Sequence, residues 1–354
     1  VVAGVELWQV THDARVERVV RDVLRYVERD MMSTSGTSAG AFFSATDADS
    51  LSPEGKREEG FYFTWTVDEL KAELEPTIGA DKTQIALKAW AVSPRGNFEG
   101  RSILWRPKPH EITADVERVL DEARPILLRA RNERPQPLRD EKILAAWNGL
   151  MIAAFARAGF AFDEPKYADI AKTAARFVVD NMRAADGRLR RSFKEGSGAR
   201  LDGNLDDHAF VIAALIDVFE ASGERRFLDD AVALERVVAE HFEDKERGGF
   251  YLTADDAEAL LAREKPAHDG AEPSGNSVHA LNLARLAAIV DDAALRARAE
   301  RTVRAFGQVN ARHPGAMSEL LLAIEMLHAA AREIVVVTRD PIDDSIDDSI
   351  DDSS

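Results

Sequence analysis

The stretch Trp147-Asn148-Gly149-Leu150-Met151-Ile152-Ala153-Ala154 returns in altered form as Asp207-His208-Ala209-Phe210-Val211-Ile212-Ala213-Ala214. It returns again as Gly275-Asn276-Ser277-Val278-His279-Ala280-Leu281-Asn282. Each copy opens a long helix after a polar or Gly-rich junction, and a second helix follows, around 165–182, 225–242 and 292–307. The unit recurs about every 60–70 residues. A helical hairpin cannot bury its apolar face alone, so such copies must pack side by side into an array or a closed ring.

Outward from this stretch the helical period persists. Ile143, Trp147, Leu150, Met151 and Ala154 fall on one stripe, as do Phe210, Ala214 and Val218, and Ile170, Ala174, Phe177 and Val178. Upstream, a helix runs from Arg15 to Met31. Gly40–Asp49 and Gly60–Trp65 then read as a hairpin joined by the polar loop 50–59. Thr66-Val67-Asp68-Glu69 is a capping box opening another helix. Residues 92–140 read as irregular apart from a helix near 112–131, because six prolines interrupt them. Gly248–Asp256 echoes Gly40–Asp49, each after a helix of similar length. Glu333–Val337 reads as a short buried strand, and the acidic Ile-Asp-Asp-Ser repeat after it as disordered. The class expected is all-α, with short strands at the loops.

The chain of 354 residues carries 63 acidic against 46 basic side chains, a net charge of −17. Phosphate backbones and anionic membranes need the opposite sign, so neither nucleic acid nor membrane is the expected partner. No run of 18 apolar residues and no secretory signal are visible. The absence of cysteine excludes disulfides, thiolate metal sites and cysteine catalysis within this segment, and is compatible with the cytoplasm.

Candidate chemistry gathers at the repeat entrances. Asp47 and Asp49, in Asp-Ala-Asp, share a side if extended and could hold sugar hydroxyls or act as an acid pair. The alternative is a turn in which both accept backbone amides. Asp206 and Asp207 sit where a helix begins. One suits an N-cap, and the other, with His208, is open to acid–base work. Trp147-Asn148 holds the matching place one repeat earlier, with an aromatic platform as one reading and core packing as the other. Ser274 and Asn276, with Asp269 upstream, form the third entrance, and Asn276 aligns with Asn148 and His208. Gly36-Thr37-Ser38-Ala39-Gly40 matches G-x-S-x-G, but in the wrong strand–helix order for a nucleophile elbow. The histidines show no metal-ligand spacing, and no metal or cofactor is expected.

Several runs, in order, resemble a known family: Phe42–Ser50, Glu59–Thr66, Gly96–Gly100, Asp140–Ile152, Leu205–Phe210, Asp269–Ser277 and Arg332–Val337. The chain is similar over residues 5–338 to the thioredoxin-domain-containing DUF255 proteins related to spermatogenesis-associated protein 20. The resemblance implies an (α/α) toroid of six-hairpin glycosidase type, similar to N-acylglucosamine 2-epimerase. It further implies a cysteine-bearing thioredoxin-like domain ahead of the toroid. On that reading residues 1–332 are an N-terminally truncated toroid, 333–338 begin a small strand element and 339–354 are the tail. Two departures stand out: His208 replaces a tyrosine usual in relatives, and Ser33–Ser38 replaces a shorter turn.

The expected function is a carbohydrate-active toroid with an acidic central pocket. Asp47, Asp49, Asp206 and Asp207 are its candidate acid–base groups. Trp147, Asn148, His208, Asp269, Ser274 and Asn276 are its candidate sugar contacts. Glycoside hydrolysis needs two carboxylates flanking the bond. Epimerisation needs two bases, and only His208 lies at an entrance. The non-enzymatic alternative is a helical scaffold serving the attached thioredoxin-like domain.

Overall fold

The computed structural model describes residues 1–258 and 261–329. The strand expected at 333–338 and the tail 339–354 lie outside the described residues. The chain divides into two compact units, one of residues 1–242 with 252–264, the other of 243–251 with the chain from 265 onward.

The first unit opens with α1 (Val2–Thr11) and α2 (Ala14–Tyr26), and the latter runs on through a π-helical turn to Met31. Strands β1 (Ala45–Thr46), β2 (Asp49–Leu51) and β3 (Arg57–Glu59) follow. The hairpin here is β2 against β3, with Asp49 opposite Glu59. The aromatic run expected as its second strand is instead a 3-10 turn, Phe61–Phe63, entered through Gly60 at φ 70°. Left-handed backbone at that glycine ends the ladder before the aromatics can join it.

Three helices then build a satellite core: α3 (Val67–Ile78), α4 (Ala80–Ala89) and α5 (Ala114–Asn132). The Thr66–Glu69 capping box opens α3 as expected. Trp65, Leu70, Leu74, Trp90 and Leu120 fill the space between the three helices. Strand β4 (Arg139–Asp140) returns to pair with β1, so the proline-rich stretch ends beside the first loop.

Strand β5 (Ile143–Leu144) leads into α6 (Ala145–Ala161), and α7 (Pro165–Met182) completes that hairpin. Strands β6 (Arg190–Lys194) and β7 (Gly198–Asp202) form the next loop, with β5 pairing onto β6. The following hairpin is α8 (Leu205–Ser222) and α9 (Arg225–His241). Buried residues lie on every side of α6 and α8, the mark of helices enclosed by others, whereas those of α7 and α9 fall on one face. Phe155, Phe210, Phe227 and Phe242 are fully enclosed.

The second unit contains α10 (Gly275–Val290), α11 (Ala293–Arg312) and α12 (Ser318–His328). Its core joins Ala280, Phe306, Met317, Leu320 and Ala323. The class is thus all-α helical hairpins with short antiparallel strands in the loops, as expected from the repeat.

Candidate functional site

The aligned positions Asn148, His208 and Asn276 share one job, and it is structural. The Asn148 amide oxygen accepts from the Phe42 N–H at 2.9 Å, while its Nδ2 donates to the carbonyls of Phe42 and Leu144. The Asn276 oxygen accepts from the Phe250 N–H at 2.7 Å, and its Nδ2 donates to the carbonyls of Phe250 and Pro266. His208 does the same with a ring. Its Nε2 accepts from the Leu189 N–H at 3.0 Å, and Nδ1 donates to the Asn204 carbonyl at 2.8 Å.

Phe42, Leu189 and Phe250 each sit in a one-residue bridge that closes the turn before the helix, opposite Met32, Arg183 and Glu243. All three clamping side chains are buried. The expectation that their alignment reflects a shared cavity is therefore corrected. It reflects a repeated clamp that ties a buried loop backbone to the next helix, because such amides need a partner wherever water cannot reach. Asn148→Ala is expected to cost about 2 kcal/mol in urea unfolding, since it strands three backbone groups. A loss below about 0.5 kcal/mol would mean that water replaces the side chain.

The carboxylates are similarly engaged. Asp207 accepts from the N–H of Asn204 at 2.8 Å and that of Ala146 at 3.1 Å, so one buried side chain serves the starts of α8 and α6. Burial pushes its carboxyl up to about 6, against the pull of the two amides. Burial also lowers the adjacent His208 to about 4, so this imidazole is neutral at pH 7. Asp206, beside it, is half-buried. In the second unit Asp269 accepts from the N–H of Ser274 and of Glu319, both at 2.8 Å, bridging the starts of α10 and α12. Ser274 is the N-cap of α10, its hydroxyl accepting from the Ser277 amide.

Asp47 and Asp49 do face one way, but toward Arg57, at 2.8 and 3.8 Å. A bend at Ala48 separates them, and Asp47 also accepts from the Asp49 amide at 3.1 Å. That amide, and then Arg57, hold the Asp47 carboxyl below the usual range. Trp147 is 41% exposed in the first turn of α6. His241, Asp255 and Asp256 bring three ligand-type atoms within 4.8 Å, a grouping invisible in the spacing. Asp256 there is gripped by Arg188 at 2.6 and 2.8 Å, and His241 contacts Asp255 at 3.0 Å.

A cleft of about 920 Å³ lies in the first unit, in a region the candidate residues do not line. Tyr26, Tyr62 and Phe63 give it aromatic walls, and Leu138 a further apolar edge. Asp30, Gln136, Arg139, Asp140 and Glu141 ring it with planar polar groups. Arg131 and Lys194 complete the cationic side. It is assembled from the end of α2, the 3-10 turn, the end of α5, β4 and the end of β6. The one signal in the sequence is the Phe61-Tyr62-Phe63 run, whose β-prone composition points to a strand.

No protein-family model matches the chain. Human spermatogenesis-associated protein 20 is 33% identical over 368 residues, covering 95% of this chain and 46% of that protein. The mouse protein of the same name is 33% identical, covering 94% and 46%. An uncharacterized Caenorhabditis elegans protein is 28% identical, covering 94% and 48%. The chain thus spans about half the length of the curated relatives it matches. Among solved structures, D-mannose isomerase aligns with a TM-score of 0.42 and 13% identity, covering 86% of this chain and 73% of that one. The Spirochaeta thermophila cellobiose 2-epimerase aligns with 0.40 and 20%, covering 47% and 43%. Scores this low fix neither reaction nor ligand. Over the region that it spans, this chain is thus similar in sequence to spermatogenesis-associated protein 20.

Proposed function

We propose that this region is a carbohydrate-recognising helical domain that takes a mono- or disaccharide in the cleft beside Phe63. The cleft's composition carries the reading. A pyranose has apolar C–H faces and a rim of hydroxyls, so it is matched by aromatic walls ringed with planar donors and acceptors. Tyr26 and Phe63 remain 40% and 36% exposed. A volume of about 920 Å³ accommodates a disaccharide with its water. Asp207 and Asp269, at the helix entrances, are committed to backbone amides, which favours recognition over hydrolysis by them.

Calorimetric titration with a panel of mono- and disaccharides tests this. Saturable binding is expected, weakened about tenfold by Phe63→Ala through loss of roughly 1–2 kcal/mol of ring burial. Binding that ignores Phe63→Ala would place the sugar elsewhere, and no binding at all would sink the reading. A second reading, glycosidase-like catalysis, is favoured by one observation: the Asp207 carboxyl, at about 6, lies in the range of a general acid. Turnover of aryl glycosides that vanishes in Asp207→Asn while folding is retained would favour it.

A further inference from the structure

We infer that the cleft's ligand is anionic, a sugar bearing a carboxylate or phosphate group, and that Arg131 and Lys194 receive that group. This rests on the cleft being a sugar site. Two of the four cations that line it are already neutralised. Arg29 pairs with Asp30, and Arg139 with Glu141 at 2.8 Å. Of the acids, Asp140 is held by Lys142 at 3.1 Å. Arg131 and Lys194 differ from these neighbours. Neither side chain has an ion pair or hydrogen bond among the described residues, in a chain with 63 acidic against 46 basic residues.

Arg131 is also held in place. Its guanidinium lies 5.2 Å from the Tyr62 ring centre and 5.7 Å from that of Phe63. Those contacts fix its plane, and with Nε buried it is the terminal Nη pair of the fork that is left for an oxyanion. The aromatic wall that would carry the sugar ring and the fork that would carry its anion are then neighbours.

The test compares glucuronate, glucose 6-phosphate, glucose and inorganic phosphate by calorimetry on the whole chain, with Lys194→Gln and Arg131→Gln alongside. Either charged sugar is expected to bind at least about tenfold more tightly than glucose, each variant erasing about tenfold of that gain. The preferred charged sugar distinguishes a uronate from a sugar phosphate. Circular-dichroism melts show whether Arg131→Gln still folds, and Lys194→Gln, on an exposed strand position, carries the test if it does not. Equal affinity for glucose and the charged sugars overturns the anion inference and leaves the sugar reading standing. Phosphate binding without any sugar response keeps the anion site and overturns the sugar reading. Silence from all four probes overturns both.

Discussion

Gly149→Val is expected to cost at least about 3 kcal/mol, and Gly149→Ala about 2 kcal/mol, in urea unfolding. A Cβ at Gly149 would lie 2.6 Å from the Phe210 carbonyl carbon, 2.7 Å from its oxygen and 2.8 Å from the Val211 nitrogen. All three are backbone atoms of α8, held by that helix's own ladder, so no side chain can rotate away. Relief requires α6 and α8 to move apart, which opens the core around the enclosed Phe155 and Phe210. The sign is diagnostic. Glycine to alanine inside an ordinary helix gains up to about 1 kcal/mol from propensity, so a loss here measures the close approach alone. Gly196→Ala is the control. It has open space around it but φ of 73°, and should lose only about 1 kcal/mol to backbone strain. A neutral or stabilising Gly149→Ala would mean that the two helices do not touch as described.

Gly149 illustrates what the sequence could and could not reveal. The period-3.6 stripes and the spaced glycines were enough to place the hairpins, because burial of helix faces is written locally in residue type. The aligned entrance residues were legible as equivalent positions. Their purpose was not, since Asn148 reaches Phe42 across 106 residues and the partner is a backbone amide that any sequence supplies. For the same reason Asp207 reads as a titratable site from sequence, whereas in space it is an acceptor for Ala146, 61 residues away. The cleft was least legible. Leu138 is brought beside Tyr26, Phe63 and Arg131 where β4 pairs back onto β1, and a two-residue ladder leaves almost no pattern in sequence. Aromatic residues at 61–63 carried a β signal that Gly60 overrode by turning the chain.

The adjacent pair Asp207 and His208 should reveal itself through acid stability, with opposite signs in two variants. Asp207 is raised from 3.8 to about 6 chiefly by burial, which disfavours its charged form. Its contribution is therefore complete below pH 3.8 and is lost as pH rises through 6. His208 is lowered from 6.5 to about 4, again chiefly by burial. Its contribution is present above pH 6.5 and is lost as pH falls through 4. Each shift of about two units corresponds to about 3 kcal/mol, so between pH 4 and 6 the two slopes cancel in the native protein. Asp207→Asn removes one slope. Its stability is expected to fall by about 3 kcal/mol more than the native protein's on going from pH 6.5 to 4. His208→Gln removes the other, and its stability should rise by a similar amount, relative to the native protein, as pH drops from 6 to 4. Every other titrating group is common to the three proteins, so differences between their urea-unfolding curves isolate the pair. Parallel curves across the three would mean that neither group is buried as described. A single deviating curve would identify the one that is. The cancellation also explains how two adjacent ionisable side chains can sit in one helix start without making it acid-labile: between pH 4 and 6 the proton that Asp207 takes up on folding offsets the one that His208 gives up.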